Sequence, residues 1–218
     1  MSLAVHDLPL FLTAALLVNL TPGPDMLFVA GSSAVHGRRA GVLAALGVGV
    51  GCLLHVALAA VGLSALLAAS ATAFTLVKWV GAAYLVWVGV SMLRARARTE
   101  VPTADQPTGL SAAPGSSRVF WQGAWTNALN PKVALFFLAF LPQFIVPGAP
   151  QQALSFLALG LVFTVGGVLV NIAVALLTHR VRQGLAGRSG SARFGVWLQR
   201  AAGALFVGLG LKLAFSSR

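Results

Sequence analysis

Apolar residues fall in six long runs separated by short polar stretches, at about 8–32, 40–69, 74–93, 120–145, 154–178 and 194–215. At a rise of about 1.5 Å per residue, about 20 apolar residues in a helix cross a hydrocarbon core about 30 Å thick. Each run meets that length or comes close to it. The pattern predicts an all-α integral membrane protein of six transmembrane helices in a single domain spanning 1–218. Between the third and fourth runs lies "RARARTEVPTADQPTGLSAAPGSSR", rich in Pro, Ser and Gly, which reads as a loop over 94–118.

The first run is not uniform. Its middle reads "NLTPGPDMLFVA", from Asn19 to Ala30, with two prolines, a glycine and a carboxylate. Proline inside a helix removes a backbone hydrogen bond and crowds the preceding turn, costing about 3 kcal/mol or more. Pro22, Gly23 and Pro24 therefore predict a break. The carbonyls it frees at Leu20 and Thr21 must face protein or a watery cavity, because lipid offers no donor. The half-helix that follows starts near Asp25, and its N-terminal dipole partly compensates an acid there. An N-cap role alone would be met more cheaply by Ser or Thr, since a carboxylate at midmembrane costs about 2.5–3.5 kcal/mol.

The fourth run repeats the device in "NALNPKVALFF". Pro131 predicts a second break, with Asn127 and Asn130 placed to bond the freed groups. Lys132 has two readings, a midmembrane role or snorkelling of its long stem to the interface. If it stays inside, it is the natural partner of Asp25, directly or through a bound zwitterion.

The two runs belong to a larger repeat. "KWVGAAYLVWVG" in the third run aligns with "RAAGALFVGLGL" in the sixth, so Lys78 meets Arg200, Gly81 meets Gly203 and Tyr84 meets Phe206. In the first and fourth runs Asp25 meets Lys132, each after a proline. Three spans per half reverse the orientation of the second half. The expectation is two inverted three-helix repeats, about 8–93 and 119–215, with the first and fourth helices broken, as in many secondary transporters.

Composition agrees with the pattern. Hydrophobic residues make up 58% of the 218 and charged residues 9%, too few to cover a water-facing surface. The net charge of +11 would suit nucleic acid if it formed one patch, but it does not. Arg38 and Arg39 lie in the first loop, Arg94, Arg96, Arg98 and Arg118 in the third, and Arg180, Arg182, Arg188 and Arg193 in the fifth. The second and fourth loops, "ASATA" and "VPGAPQQ", have no basic residue. Positive loops stay cytoplasmic, so both termini are expected outside. The N-terminal "MSLAVHDLPLF" lacks a basic n-region and a cleavage site, so the first helix is expected to be retained. Cys52 is the single cysteine and implies no disulfide.

Other polar positions carry weaker signals. His55 and Asn171 could line a path, although a lone His on an apolar helix more often bonds a neighbouring helix. Lys78 and Arg200 read as interfacial anchors beside Trp79 and Trp197. Gly37, Gly41, Gly47 and Gly51 form small-xxx-small pairs that permit close helix packing.

Together, "NLTPGPD", the basic first loop, the glycine-rich second run, "KWVGAAYLVWVG" and "NPKVALFFLAFLPQF" resemble the LysE/RhtB family of bacterial amino-acid exporters over nearly the whole chain. The resemblance implies efflux of amino acids or close derivatives across the inner membrane, driven by the proton gradient. The family's Pro-Gly-Pro and acid map onto Pro22, Gly23, Pro24 and Asp25, and its Asn-Pro-Lys onto Asn130, Pro131 and Lys132. Which amino acid is carried does not follow.

The expected partners are an amino-acid substrate, protons and the lipid bilayer, with a homodimer left open; no cofactor is expected. Asp25 would carry the proton, since low dielectric disfavours its charged form while Lys132 and the helix dipole favour it. The substrate or proton path is expected to involve Asn19, Pro22, Gly23, Pro24, Asp25, His55, Asn127, Asn130, Pro131, Lys132 and Asn171. The alternatives are a membrane scaffold, a channel and an intramembrane enzyme. An aspartyl enzyme needs two carboxylates, and only Asp25 lies within a run. His6, His36, His55 and His179 are too scattered for a metal site.

Overall fold

The computed structural model describes residues 4–63, 115–146 and 148–184, with isolated helical positions between 79 and 94 and between 204 and 211. The third and sixth runs, most of the 94–118 loop and the Lys78–Arg200 half of the repeat lie outside the described residues. Within them, regular structure is helical, apart from an isolated antiparallel bridge between Val5 and Ile145.

The first run forms α1 (Leu8–Leu20) and α2 (Pro24–His36), which meet at 49° across residues 21–23. Gly23 is extended and Pro24 opens α2, where a missing N–H has no intrahelical partner to lose. Gly37, at φ 85°, ends α2 and turns the chain into α3 (Arg38–Leu58), which continues through a π turn, Ala59–Leu63. The fourth run forms α4 (Ser116–Ala128) and, after Leu129 and Asn130, the short α5 (Pro131–Leu135). A π turn over Phe136–Phe140 and a 3₁₀ turn over Leu141–Phe144 carry α5 onward. The fifth run is α6 (Gln152–Gly184). Where they are described, the bounds of the first, fourth and fifth runs and the start of the second agree with the hydrophobic pattern to within a few residues, except that α6 continues beyond its apolar part into His179–Arg182.

Two described helices, Arg38–Gly62 and Gln152–Val181, are long and apolar enough to cross a bilayer, and the α1–α2 pair qualifies when its two members are taken together. Leu53, Leu58, Leu161, Val165 and Leu169 are exposed along α3 and α6, as lipid-facing positions must be.

The helices pack through two apolar clusters. One is aromatic, with Phe11, Phe136, Phe137, Phe140, Phe144, Phe156 and Phe163. Phe163 stacks on Phe136 at 4.4 Å and meets Phe137 edge-on at 5.4 Å. The other is built of smaller residues, Val29, Ala44, Ala45, Val48, Val119 and Ala175. Among the described helices, α3 and α4 make the most extensive contact. A Cβ at Gly47 would collide with the Phe120 carbonyl, and one at Gly51 with the Ala124 carbonyl. Backbone meets backbone along this seam, the packing role expected of the Gly47–Gly51 pair. Gly41 packs likewise against Ser33 and Ala175.

Candidate functional site

The two chain breaks face each other. Asp25 sits in the first turn of α2 and is 7% exposed. Lys132 sits in the first turn of α5, with its Nζ 3.7 Å from Asp25 Oδ1. The Lys132 ammonium is thus turned inward, towards Asp25. Its ammonium also donates to the carbonyls of Thr21 at 3.0 Å and Val18 at 3.4 Å. The carbonyl freed at Thr21 by the proline break thus finds a cationic donor. Val18, one turn back, shares that donor with Thr21.

Asn130 joins the breaks from its own side. Its Oδ1 accepts from the Lys132 amide at 3.0 Å, capping α5, and its Nδ2 donates to Asp25 Oδ1 at 3.2 Å. One side chain so satisfies a helix N-terminus and orients the carboxylate. Gly23 leaves room for this pair. A Cβ there would lie 2.8 Å from Asp25 Oδ1 and 2.9 Å from Lys132 Nζ.

Beside this junction is a small cavity of about 10 Å³, room for one water-sized group. Asn19, Asp25, Asn127, Lys132 and Asn171 supply polar walls, with Cys52 and Thr164 beside them. Cys52, Val133 and Phe163 come from the aromatic cluster and Val48 from the smaller one, so the cavity lies where the two meet. Asn19 donates to the Phe163 carbonyl at 3.1 Å, while Gly166 and Gly167 let α6 approach its amide. Asn171 donates to the Gly167 carbonyl at 3.0 Å.

Of the residues expected at a site, Asn19, Asp25, Asn127, Lys132 and Asn171 line this one cavity. Asn130 reaches it through Asp25 and Lys132, and Pro22, Gly23, Pro24 and Pro131 lie at the chain interruptions. His55 is placed elsewhere. Its Nε2 lies 3.1 Å from the Asn127 carbonyl and its ring stacks on Phe137, so it ties α3 to α4. That is the interhelical bond a lone histidine more often makes. Thr164 and Cys52 were not singled out in the sequence. Thr164 is the one hydroxyl in "GLVFTVGGVLVN", which was a usable signal; Cys52 stood out only as the single cysteine. Among the described residues, no group of three or more His, Cys, Asp or Glu could hold a metal.

Comparison with known proteins places this arrangement. A family model described as LysE type translocator matches residues 16–217. The chain is 33% identical over 204 residues to the homoserine/homoserine lactone efflux protein of Salmonella typhimurium, covering 94% of each chain. It is 30% identical over 213 residues to the threonine efflux protein of Escherichia coli K12, covering 96% of this chain and 99% of that one. It is 33% identical over 155 residues to the leucine efflux protein of Klebsiella pneumoniae, 71% of each. No solved structure matches the chain. The match over nearly the full length, together with the paired Pro-Gly-Pro-Asp and Asn-Pro-Lys breaks, leads to one conclusion: this chain belongs to the LysE type translocator family.

Proposed function

We propose that this protein is a secondary transporter that exports amino acids or close derivatives across the bacterial inner membrane, with the Asp25–Lys132 junction at its transport site. One observation carries the reading: a buried pair of opposite charges spans two proline breaks and borders a polar cavity between two apolar clusters. Buried ionisable groups within membrane helices are expensive and mark substrate or ion paths. Efflux of homoserine, threonine and leucine by relatives supports the substrate class. A scaffold would use the glycine seams but has no need of the charged junction.

The finer reading is as follows. The first and fourth spans are broken helices, and the halves form inverted repeats. Both termini lie outside and the 94–118 loop is cytoplasmic. Because the cavity of about 10 Å³ is too small for an amino acid, loading requires helices to part on one side at a time. The aromatic cluster then closes one side and the small-residue cluster the other. Proton entry to Asp25 from outside drives the cycle.

Uptake of radiolabelled homoserine, threonine and leucine into inverted membrane vesicles tests the reading. Accumulation against a gradient by at least one of them, absent from vesicles lacking the protein, is expected. Transport of none of them, nor of a wider amino-acid panel, would overturn it.

A further inference from the structure

Two oxygens at the cavity have no partner. Asn127 and Asn171 are 2% and 3% exposed and both line it. The Oδ1 of each is buried and, among the described residues, accepts no hydrogen bond. The orientation of Asn171 is fixed, because its Nδ2 donates to the Gly167 carbonyl. Buried acceptors left bare cost free energy, so native proteins rarely keep them without a use.

The third wall group, Asp25, is also an acceptor. It takes Asn130 Nδ2 and Lys132 on Oδ1, and a carboxylate has about four acceptor positions in all. Among the described residues, the cation at the cavity is already engaged: Lys132 donates to the Thr21 and Val18 carbonyls, and its charge is paired with Asp25 at 3.7 Å. An incoming carboxylate would have to compete with Asp25 for that charge.

We infer that Asn127, Asn171 and Asp25 form a cradle for the primary ammonium of the exported molecule, and that its carboxylate is not the recognised end. The inference rests on the export reading above. Three acceptors from α4, α6 and α2 meet three N–H donors, and the cavity is already the size of that group. Lys132 acts as the clasp that keeps Asp25 in place and closes the first break. The ligand class is therefore a primary amine with a free –NH₃⁺, its acid end free to be blocked.

The test uses inverted vesicles and whichever of homoserine, threonine or leucine the wild type carries. Competitors are its methyl ester, which keeps the ammonium, and its α-hydroxy acid, which replaces it. The ester should compete within roughly tenfold of the parent, whereas the hydroxy acid should lose 10- to 100-fold or more, the worth of hydrogen bonds to a charged donor. Asn127→Leu and Asn171→Leu should each raise KM by roughly 10- to 100-fold. If the Leu variants fail to reach the membrane, the wild-type competition decides alone. Equal competition by the hydroxy acid would overturn the cradle. So would Leu variants with unchanged KM and lowered stability, the mark of a structural water, or a KM defect that sodium relieves, the mark of a metal-cation site. Absence of any wild-type amino-acid transport would instead sink the export reading itself.

Discussion

Lys132 Nζ lies 3.7 Å from Asp25 Oδ1, with both side chains about nine-tenths buried. The pair joins two helices that each start at a proline, and Asn130 bonds both its members. Removing one charge leaves the other buried and unpaired, which costs about 3–5 kcal/mol, whereas removing both is often nearly neutral. Lys132→Met should therefore destabilise the detergent-solubilised protein more than Asp25→Asn/Lys132→Met does. Thermal unfolding of both variants checks this. A double variant that melts at or below both single variants would show that the charges are not coupled.

Gly23→Ala places a methyl group within 3 Å of both charged atoms. The junction must shift by a fraction of an ångström, less than the roughly 1 Å misplacement that can cost about 100-fold in rate. Export should fall, by less than that order, while the protein still reaches the membrane. An unaltered export rate would mean that the junction geometry does not limit transport.

The α3–α4 seam should respond quite differently from open positions. Gly51→Ala drives its Cβ into the Ala124 carbonyl, an overpacking that costs about 1–3 kcal/mol. Gly31→Ala, in α2, meets nothing within 4 Å and removes a helix-interior glycine, so it should be neutral or stabilising by up to about 1 kcal/mol. Melting temperatures of the two variants, compared with wild type, give the answer.

Alternating loop charge leads to a topology that labelling can read. A cysteine introduced at Ser217 should react with a membrane-impermeant maleimide added outside intact cells, and one at Thr108 should not. Native Cys52 is 4% exposed and should stay silent. The reverse pattern would invert the orientation.

Asp25→Asn keeps the shape of the side chain and removes its charge. In the proton-driven cycle proposed above, a proton from outside neutralises the wild-type carboxylate, weakens its hold on the substrate ammonium and favours outward release. With Asn at position 25, uphill transport into inverted vesicles under a pH gradient should be lost, while exchange of substrate across the membrane can survive. Full gradient-driven transport by this variant would move the coupling to another group.

Local chemistry alone marked out the apolar runs, the prolines at 22, 24 and 131, and the acid and base beside them. Each follows from chain-local physics: a run of apolar residues must form a helix in lipid, and proline cannot continue one. The glycine seam on α3 was legible for the same reason, since small residues at four-residue spacing lie on one face. Tertiary structure decided the rest. Lys132 had two open fates, and only packing shows its ammonium turned inward onto the Thr21 carbonyl and Asp25. His55 and Asn171 looked alike in sequence, yet one ties α3 to α4 and the other borders the cavity. Cys52, Phe163 and Thr164 became neighbours of the junction because α3 and α6 cross there. A helix that is apolar on every side, as a membrane span is, carries no periodic signal of which face turns inward. That choice is made only when the helices pack, where buried charges and carbonyls must find partners that no single segment can supply.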